Sequence, residues 1–317
     1  MQDTRPIALR VSVIDRCDER CLYCRPAEGV PLVSRAEVLR LEEILRFVRV
    51  VRDRFGLAKV RLTGGEPLLR RGLPDLVRGL AGMDVADLAM TTNGQRLAEM
   101  AEPLRRAGLA RVNISLDTLD PAVYRRLTRG GDLERTLRGI RAARDAGLDP
   151  VKLNAVVLRG VNDAEVAALA RFGLEHGCEV RFLELMPIGE AAAHHARWFV
   201  SSAEVRARLA EAMDLEPLAA SGDTFLARDP GGRAGRVGFV SPCSEPFCTE
   251  CRRLRLTTTG RLIGCLGQRR GVDVRPILRA PGGPDESALA RAIEASLQMK
   301  QNVRRFDEQD LMVRIGG

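Results

Sequence analysis

The first 190 residues alternate between short apolar segments and longer amphipathic segments, and this alternation constrains the fold more than any other feature. Each apolar segment has the length of a strand, and the segments between them have apolar residues at helical spacing. In residues 35–55, for example, Val38, Leu41, Leu45 and Val48 fall on one helical face. Six such repeats predict a parallel sheet with helices outside it. The predicted strands are "IALRVSV", "AKVRLTGG", "DLAMTTNG", "ARVNISLD", "PVKLNAVVL" and "EVRFLELMP".

The arrangement favours an incomplete (βα)6 barrel in an α/β protein. No GxGxxG follows the first strand, so a dinucleotide-binding sheet is disfavoured. In barrels the chemistry lies at the C-terminal ends of the strands. The unusual motifs of this chain follow predicted strands in the same way: a cysteine-rich loop, then "GGEP", "TTNG", "SLD" and "MP".

The pattern changes after residue 190 and predicts a second, smaller α+β domain. Residues 189–198 are predicted to be a loop and residues 202–213 a helix. A strand "GRVGFVSP", a hairpin "LRLTTTGRLIGCL" and a helix near 286–299 follow. The predicted domains are therefore residues 1–190 and residues 191–317.

Composition narrows the classes of partner. Aromatic residues make up 4% of the chain and no basic run is clustered, so a nucleic-acid-binding surface is not expected. The net charge of +8 favours an anionic small-molecule substrate. Met1 is followed by "QDTRPIAL", without the apolar segment of a signal peptide, and no run is long enough to span a membrane. We therefore expect a cytoplasmic protein with reduced cysteines.

Six of the eight cysteines fall in two clusters. Cys17, Cys21 and Cys24 lie within eight residues after the first strand. Disulfide frameworks use even numbers of cysteines and structural zinc sites use four ligands. Three thiolates can instead hold a [4Fe–4S] cluster and leave one iron open for a ligand. A partial zinc site or unrelated thiols are the alternatives at this point.

The second cluster contains Cys248, Cys251 and Cys265, again three cysteines. Cys243 could supply a fourth ligand, which would give the spacing of a zinc ribbon. Spacing alone therefore leaves zinc and iron–sulfur equally open. Cys243 is otherwise a buried small residue.

The surroundings of both clusters resemble a known family. The pattern CxxxCxYC, with Tyr23 before the last cysteine, is similar to the radical S-adenosylmethionine (SAM) superfamily, and "GGEP" at 64–67 resembles its motif for the SAM amino group. The block "SEPFCTECRRLRLTTTGRLIGCL" and the final "IGG" resemble the GTP 3',8-cyclase family of molybdenum cofactor biosynthesis, as do "VNISLDTLD" and "VKLNAVVLRGVND". The resemblance covers nearly the whole chain, and Cys243 departs from the family's ligand pattern.

The resemblance implies a lyase with two [4Fe–4S] clusters. The first would cleave SAM to methionine and a 5'-deoxyadenosyl radical, which removes the 3' hydrogen of GTP. The C3' radical would attack C8 of guanine, and reduction of the resulting aminyl radical would give 3',8-cyclo-7,8-dihydro-GTP. An external one-electron reductant and a downstream pterin synthase are the implied partners, and a homodimer is compatible with the family.

The resemblance also implies a role for particular residues. Cys17, Cys21 and Cys24 would hold the SAM cluster, and Cys248, Cys251 and Cys265 the auxiliary cluster. The expected SAM contacts are Tyr23, Gly65, Ser115 and Met186. The expected GTP contacts are Arg10, Arg61, Thr92, Lys152, Arg253, Leu254 and Arg255. Arg253, Arg255 and the terminal Gly316 and Gly317 would be needed for catalysis.

Charge supports part of this set, because Arg10, Arg61 and Lys152 lie inside predicted apolar strands. A buried cation needs an anion, and a triphosphate would provide one. The alternative for each residue is an internal ion pair with Asp or Glu. We do not expect this alternative to explain all three residues.

Two other functions fit fewer of the motifs. A peptide-modifying radical SAM maturase would share the first cluster, but the chain has no longer cysteine-rich tail or peptide-recognition extension. A zinc-stabilised nucleic-acid-binding protein would explain the charge and a four-cysteine site. It would leave "GGEP" and the first three cysteines unexplained.

Overall fold

The structure is a computed structural model that describes residues 5–218, 223–246, 248, 251–267, 270–283, 285–300 and 306. The strands are β1 (Ile7–Ser12), β2 (Leu57–Thr63), β3 (Leu88–Thr92), β4 (Arg111–Ser115), β5 (Lys152–Val156), β6 (Glu179–Leu183), β7 (Asp214–Pro217), β8 (Thr224–Arg228), β9 (Ala234–Val240), β10 (Arg253–Leu256), β11 (Arg261–Ile263) and β12 (Val272–Asp273). The helices are α1 (Leu41–Phe55), α2 (Leu73–Ala81), α3 (Leu97–Arg106), α4 (Pro121–Thr128), α5 (Leu133–Asp145), α6 (Val166–Glu175), α7 (Glu190–Trp198), α8 (Ser202–Ala210), α9 (Arg275–Leu278) and α10 (Glu286–Gln298).

All of these strands belong to one sheet in the order β12-β11-β10-β1-β2-β3-β4-β5-β6-β9-β8-β7. Strands β1 to β6 are parallel and follow one another, as expected for consecutive βα units. Strand β10 extends the parallel region beyond β1, and β9 extends it beyond β6. Antiparallel strands lie at both outer edges. The C-terminal region therefore lengthens the same sheet at its two ends.

The alternation of side chains along each parallel strand separates an apolar face from a polar one. In β1, Ile7, Leu9 and Val11 are fully buried in the core under the helices, whereas Arg10 lines a cavity on the other face. The same division places Leu62 in the core and Arg61 in the cavity. Burial of apolar side chains between sheet and helices is the main stabilising term of such a fold.

Local sequence fixes several helix starts. Asp120 accepts hydrogen bonds from the amides of Ala122 and Val123, and Pro121 occupies the first helical position of α4. Ser201 and Glu204 form a reciprocal capping box at α8. The cap at Ser201 confirms the helix start that the sequence placed at residue 202.

The predicted α/β fold with a parallel (βα)6 core and a C-terminal α+β region is confirmed. Two local predictions are wrong: residues 190–198 form helix α7 and not a loop, and the helix predicted over residues 35–55 begins only at Leu41. The division at residue 190 stays a prediction, since both regions contribute strands to one sheet. Among the residues that the structure describes, none of the helices combines the length and the apolar character needed to cross a bilayer.

Candidate functional site

Both cysteine clusters line one cavity at the C-terminal ends of the parallel strands. The cavity is bounded by the loops after β1, β2, β3, β4 and β6 and by the hairpin of β10 and β11. Chain segments that are more than 200 residues apart in sequence meet there. The predicted site residues that line it are Arg10, Cys17, Cys21, Tyr23, Cys24, Arg61, Gly65, Thr92, Ser115, Met186, Cys248, Cys251, Arg253, Arg255 and Cys265.

The first cysteine loop is held by backbone hydrogen bonds. The amides of Arg20 and Leu22 donate to the carbonyls of Thr128 (2.8 Å) and Leu127 (2.9 Å) at the end of α4. The amide of Cys24 donates to the carbonyl of Cys21 (2.9 Å), which closes a turn between the last two cysteines. The loop is thus fixed to the barrel at several points along its length.

The glycine pair of "GGEP" packs directly against this loop. The amides of Gly65 and Glu66 donate to the carbonyls of Ile14 and Arg16, each at 2.7 Å. A Cβ on Gly64 would overlap the carbonyl oxygen of Ile14, and a Cβ on Gly65 would overlap that of Arg16. Only glycine allows this contact. The turn at the end of β2 therefore helps to position the cysteines of the first loop.

Replacing Gly65 by alanine should lower the free energy of unfolding by about 1–3 kcal/mol, because the new methyl group collides with backbone that cannot rotate away. Denaturant unfolding would measure the loss. Gly82→Ala is a suitable control, since its Cβ would lie 3.5 Å from its nearest neighbour, an ordinary contact. Equal stability of the two variants would contradict the tight packing described here.

Buried carboxylates organise the polar wall beside the first cysteines. Glu66 accepts hydrogen bonds from the hydroxyl of Thr92 (2.7 Å) and the amide of Asn93 (2.8 Å). Burial raises the pKa of Glu66 to about 7. The hydroxyl of Tyr23 donates to Asp117 (2.7 Å), whose other oxygen accepts from the amide of Val156 (2.8 Å). This contact fixes the Tyr23 ring against the cavity.

The second set of cysteines lies on the segments immediately before and after the β10–β11 hairpin. Glu184, at the end of β6, accepts hydrogen bonds from the amides of Ser202 (2.9 Å), Cys243 (2.7 Å) and Ser244 (2.9 Å). It is 4% exposed and also accepts from the Ser244 hydroxyl. One buried carboxylate therefore anchors the chain that leads to Cys248.

Cys243 does not line the cavity, in contrast to the other three cysteines of the C-terminal region. Its thiol donates to the carbonyl of Leu185 (3.2 Å) and lies 3.9 Å from Nε2 of His195. Over the described residues, which include all eight cysteines, no three cysteine, histidine or carboxylate side chains are grouped to hold a single metal ion. The contacts of its thiol favour the interpretation of Cys243 as a packed residue.

The three thiols of the first loop line the cavity together, and burial disfavours their thiolate form. Burial raises the pKa of Cys21 well above its ordinary value and that of Cys24 to about 11, and the pKa of Cys17 moves in the same direction. Thiols in such surroundings become thiolates only when a strong cation replaces the proton. A cubane cluster binds each thiolate through a different iron, so its ligands need not converge on one point.

Below the cysteines the cavity is cationic. Arg10 on β1 stands beside Arg255 on β10 and Arg61 on β2 in the sheet register. Burial and the neighbouring guanidinium of Arg255 lower the pKa of Arg10, and burial together with Arg10 lowers that of Arg61 to about 9. Nε of Arg61 is buried and without a hydrogen-bond partner among the described residues. Such a group is suited to an anion that enters the cavity.

Two predicted site residues, Lys152 and Leu254, do not line the cavity. Lys152 is absent from the cavity lining and pairs with Glu179 on the neighbouring strand, at 2.7 Å, so the expectation that it lacks an acidic partner is wrong. The side chain of Leu254 is fully buried in the core, away from the cavity. Gly316 and Gly317 lie outside the described residues.

Several residues in or near the cavity were not predicted from the sequence. Glu66 and Asp117 belong to the "GGEP" and "SLD" motifs but were not assigned a role. Asn154 lines the cavity with its Oδ1 buried and unpaired among the described residues. Arg181, which hydrogen-bonds Glu179 (2.6 Å), adds to the positive potential around Arg10 and Arg61. Asn154 and Arg181 interrupt apolar strands, the same signal that singled out Arg10.

Comparison with known proteins agrees with this arrangement. The family model of the Radical SAM superfamily matches residues 11–173, and that of Molybdenum Cofactor Synthesis C matches residues 178–306. Among solved structures, Streptococcus suis SuiB bound to S-adenosylmethionine is similar with a TM-score of 0.63 and 16% identity. That alignment covers 86% of this chain and 64% of SuiB, and at this identity it supports the fold alone.

Relatives named GTP 3',8-cyclase match over nearly the full length. The GTP 3',8-cyclase of Moorella thermoacetica is 46% identical over 95% of this chain and 94% of its own length. That of Pelotomaculum thermopropionicum is 43% identical over the whole of both chains, and that of Pseudomonas putida is 44% identical over 94% and 90%. With two thiol clusters facing a cationic cavity and this degree of identity, the chain belongs to the GTP 3',8-cyclase family of the radical SAM superfamily.

Proposed function

We propose that this protein is a GTP 3',8-cyclase, which converts GTP to 3',8-cyclo-7,8-dihydro-GTP in the first step of molybdenum cofactor biosynthesis. The observation that carries the proposal is the shared cavity. It is lined by two sets of three cysteines and by the guanidinium groups of strands β1, β2 and β10. Full-length identity of 43–46% with cyclases supports the substrate assignment.

Two [4Fe–4S] clusters fit the cysteines. Cys17, Cys21 and Cys24 would hold one, and Cys248, Cys251 and Cys265 the other, each with three thiolates for four irons. When bound, the clusters and SAM supply reductive cleavage of SAM to a 5'-deoxyadenosyl radical and reduction of the cyclised nucleotide, with electrons from an external one-electron reductant. The protein's own contribution is to place the reactants and exclude water.

The wall of the cavity near the first cysteines would receive SAM. Gly65 has no side chain to obstruct a ligand, and its amide is already bound to the loop backbone. Tyr23 is held by Asp117, so its ring has a fixed orientation when SAM binds. Ser115 and Met186 complete this part of the lining. The Glu66 carboxylate lies beside them, where it could accept from the SAM ammonium group.

The cationic part of the cavity would bind the GTP triphosphate. Arg10, Arg61, Arg253 and Arg255 line it, and bidentate pairing with phosphate oxygens suits guanidinium groups. In the structure the hydroxyl of Thr92 donates its hydrogen to Glu66. It would therefore contact GTP as a hydrogen-bond acceptor. Lys152 would act from its ion pair with Glu179, and Leu254 through its backbone. Gly316 and Gly317 would approach the same site.

Anaerobic incubation with GTP, SAM and dithionite tests the proposal. We expect consumption of GTP together with formation of 5'-deoxyadenosine, and about eight irons per reconstituted chain. Cleavage of SAM without loss of GTP would favour a different radical SAM substrate, such as a peptide. A protein with about four irons, or with zinc and no sulfide, would contradict two clusters. The product is expected to pass to a downstream pterin synthase in the cytoplasm.

A further inference from the structure

The ammonium group of Lys300 lies among the backbone and sulfur atoms of the second cysteine site. Its Nζ donates to the carbonyl of Arg253 (2.7 Å) and to that of Gly264 (2.8 Å). The third contact is with Sγ of Cys251, at 3.6 Å. A lysine ammonium has three donors, and all three are directed at this site.

The position of Lys300 is imposed by helix α10. Leu289 and Ile293 of that helix are fully buried in the core, and the amide of Lys300 donates to Leu297 (3.2 Å) at the helix end. Gly264 allows the helix to come close, because a Cβ there would overlap the carbonyl oxygen of Ser296. The lysine therefore reaches the hairpin from a fixed helix end.

The two carbonyls belong to the two chain segments that carry the cysteines. Arg253 lies two residues after Cys251, and Gly264 immediately precedes Cys265. One ammonium group thus ties both segments while it stands against one of the sulfurs. Hydrogen bonds and net charge near cluster sulfurs are among the factors that set the reduction potential of an iron–sulfur cluster. Groups that orient metal ligands in this way typically contribute about 10- to 100-fold to affinity or activity.

We propose that Lys300 is a positioning residue for the second cluster, holding Cys251 and Cys265 in place and raising the cluster's reduction potential through its fixed positive charge. The inference rests on one part of the proposed function, namely that an iron–sulfur cluster is bound by these cysteines. A potential raised in this way would make the second cluster easier to reduce than an equivalent cluster without the lysine.

The test uses the full chain with Cys24→Ala, so that the second cluster is observed alone, and compares Lys300→Gln with Lys300→Met. Glutamine keeps an amide donor without charge, and methionine keeps neither. Arg291→Gln is the matched control, because it removes one positive charge from the exposed face of the same helix, where Arg291 is 68% exposed. Iron content, thermal unfolding and an electron paramagnetic resonance redox titration are the readouts.

We expect both Lys300 variants to shift the midpoint potential to more negative values than Arg291→Gln, with the larger loss of iron in the methionine variant. In chains with the first cluster intact, product formation should fall about tenfold or more. A midpoint potential and an iron content equal to those of the control would overturn the proposal. So would a loss of iron accompanied by an equal collapse of thermal stability, which would make Lys300 a purely structural residue.

Failure of the proposed function gives a different result. If the parent Cys24→Ala chain holds no iron at the second site, the two-cluster assignment itself is wrong. GTP consumption by the chain with all its cysteines is measured independently of the Lys300 variants.

Discussion

Replacing Cys21 by alanine should abolish the cleavage of SAM and leave about half of the iron, four atoms per chain in place of eight. Cys21 is half-buried and lines the cavity, where no other described thiol could replace it without moving the turn between Cys21 and Cys24. The second site, on a separate hairpin, should still load. Iron and sulfide analysis together with 5'-deoxyadenosine assays would measure both effects.

Two other cysteines provide controls for this experiment. Cys178 is 3% exposed in the core, and Cys243 faces the carbonyl of Leu185 outside the cavity lining. Alanine at either position should retain about eight irons per chain. Loss of the second cluster in Cys243→Ala would instead make Cys243 a ligand, so that the second cluster would have four thiolates and no open iron.

Replacing Arg61 by methionine should have opposite effects on the apoprotein and on the binding of GTP. The guanidinium group lies among other cations, and its pKa is lowered to about 9 by burial and by Arg10, so removing its charge should raise the unfolding temperature of the apoprotein. Losing one charged hydrogen-bond donor to a phosphate costs about 1.5–3 kcal/mol, which weakens GTP binding about 10- to 100-fold.

Calorimetry of GTP binding and thermal unfolding with and without GTP would measure these two effects. Arg159→Met is a matched control, since Arg159 is 45% exposed and paired with Glu204 on the surface. A variant at residue 61 that binds GTP as tightly as this control would contradict the assignment of the cationic region to the triphosphate.

The strand ends and their motifs could be predicted from the sequence because parallel strands place their C-terminal ends at one edge of a sheet. This explains why the cysteine loop, "GGEP" and "SLD" were expected to meet, and they do meet in the cavity. The arginines that line the cavity could be predicted for a similar reason. A charged residue within an apolar strand has to face the interior of the barrel or a residue of opposite charge.

The pairing of Lys152 could not be predicted in this way. Its partner, Glu179, is 27 residues away and comes into contact only through the register of β5 with β6. Helix α7 was missed because its sequence has one buried residue, Ala191, and no strong apolar stripe. The contacts of Lys300 depend on the close approach of α10 to Gly264. No local sequence pattern predicts this approach.

The pairing of β10 with β1 and of β9 with β6 has a consequence for biosynthesis. A nascent chain that has emerged only to residue 190 contains six parallel strands, but both edges of the sheet are still open, because the strands that cover them are encoded later. Open edges can pair with other chains, and contacts as distant in sequence as Ala8 with Arg253 form slowly. The first cysteine loop is therefore synthesised before either edge of the parallel sheet is covered.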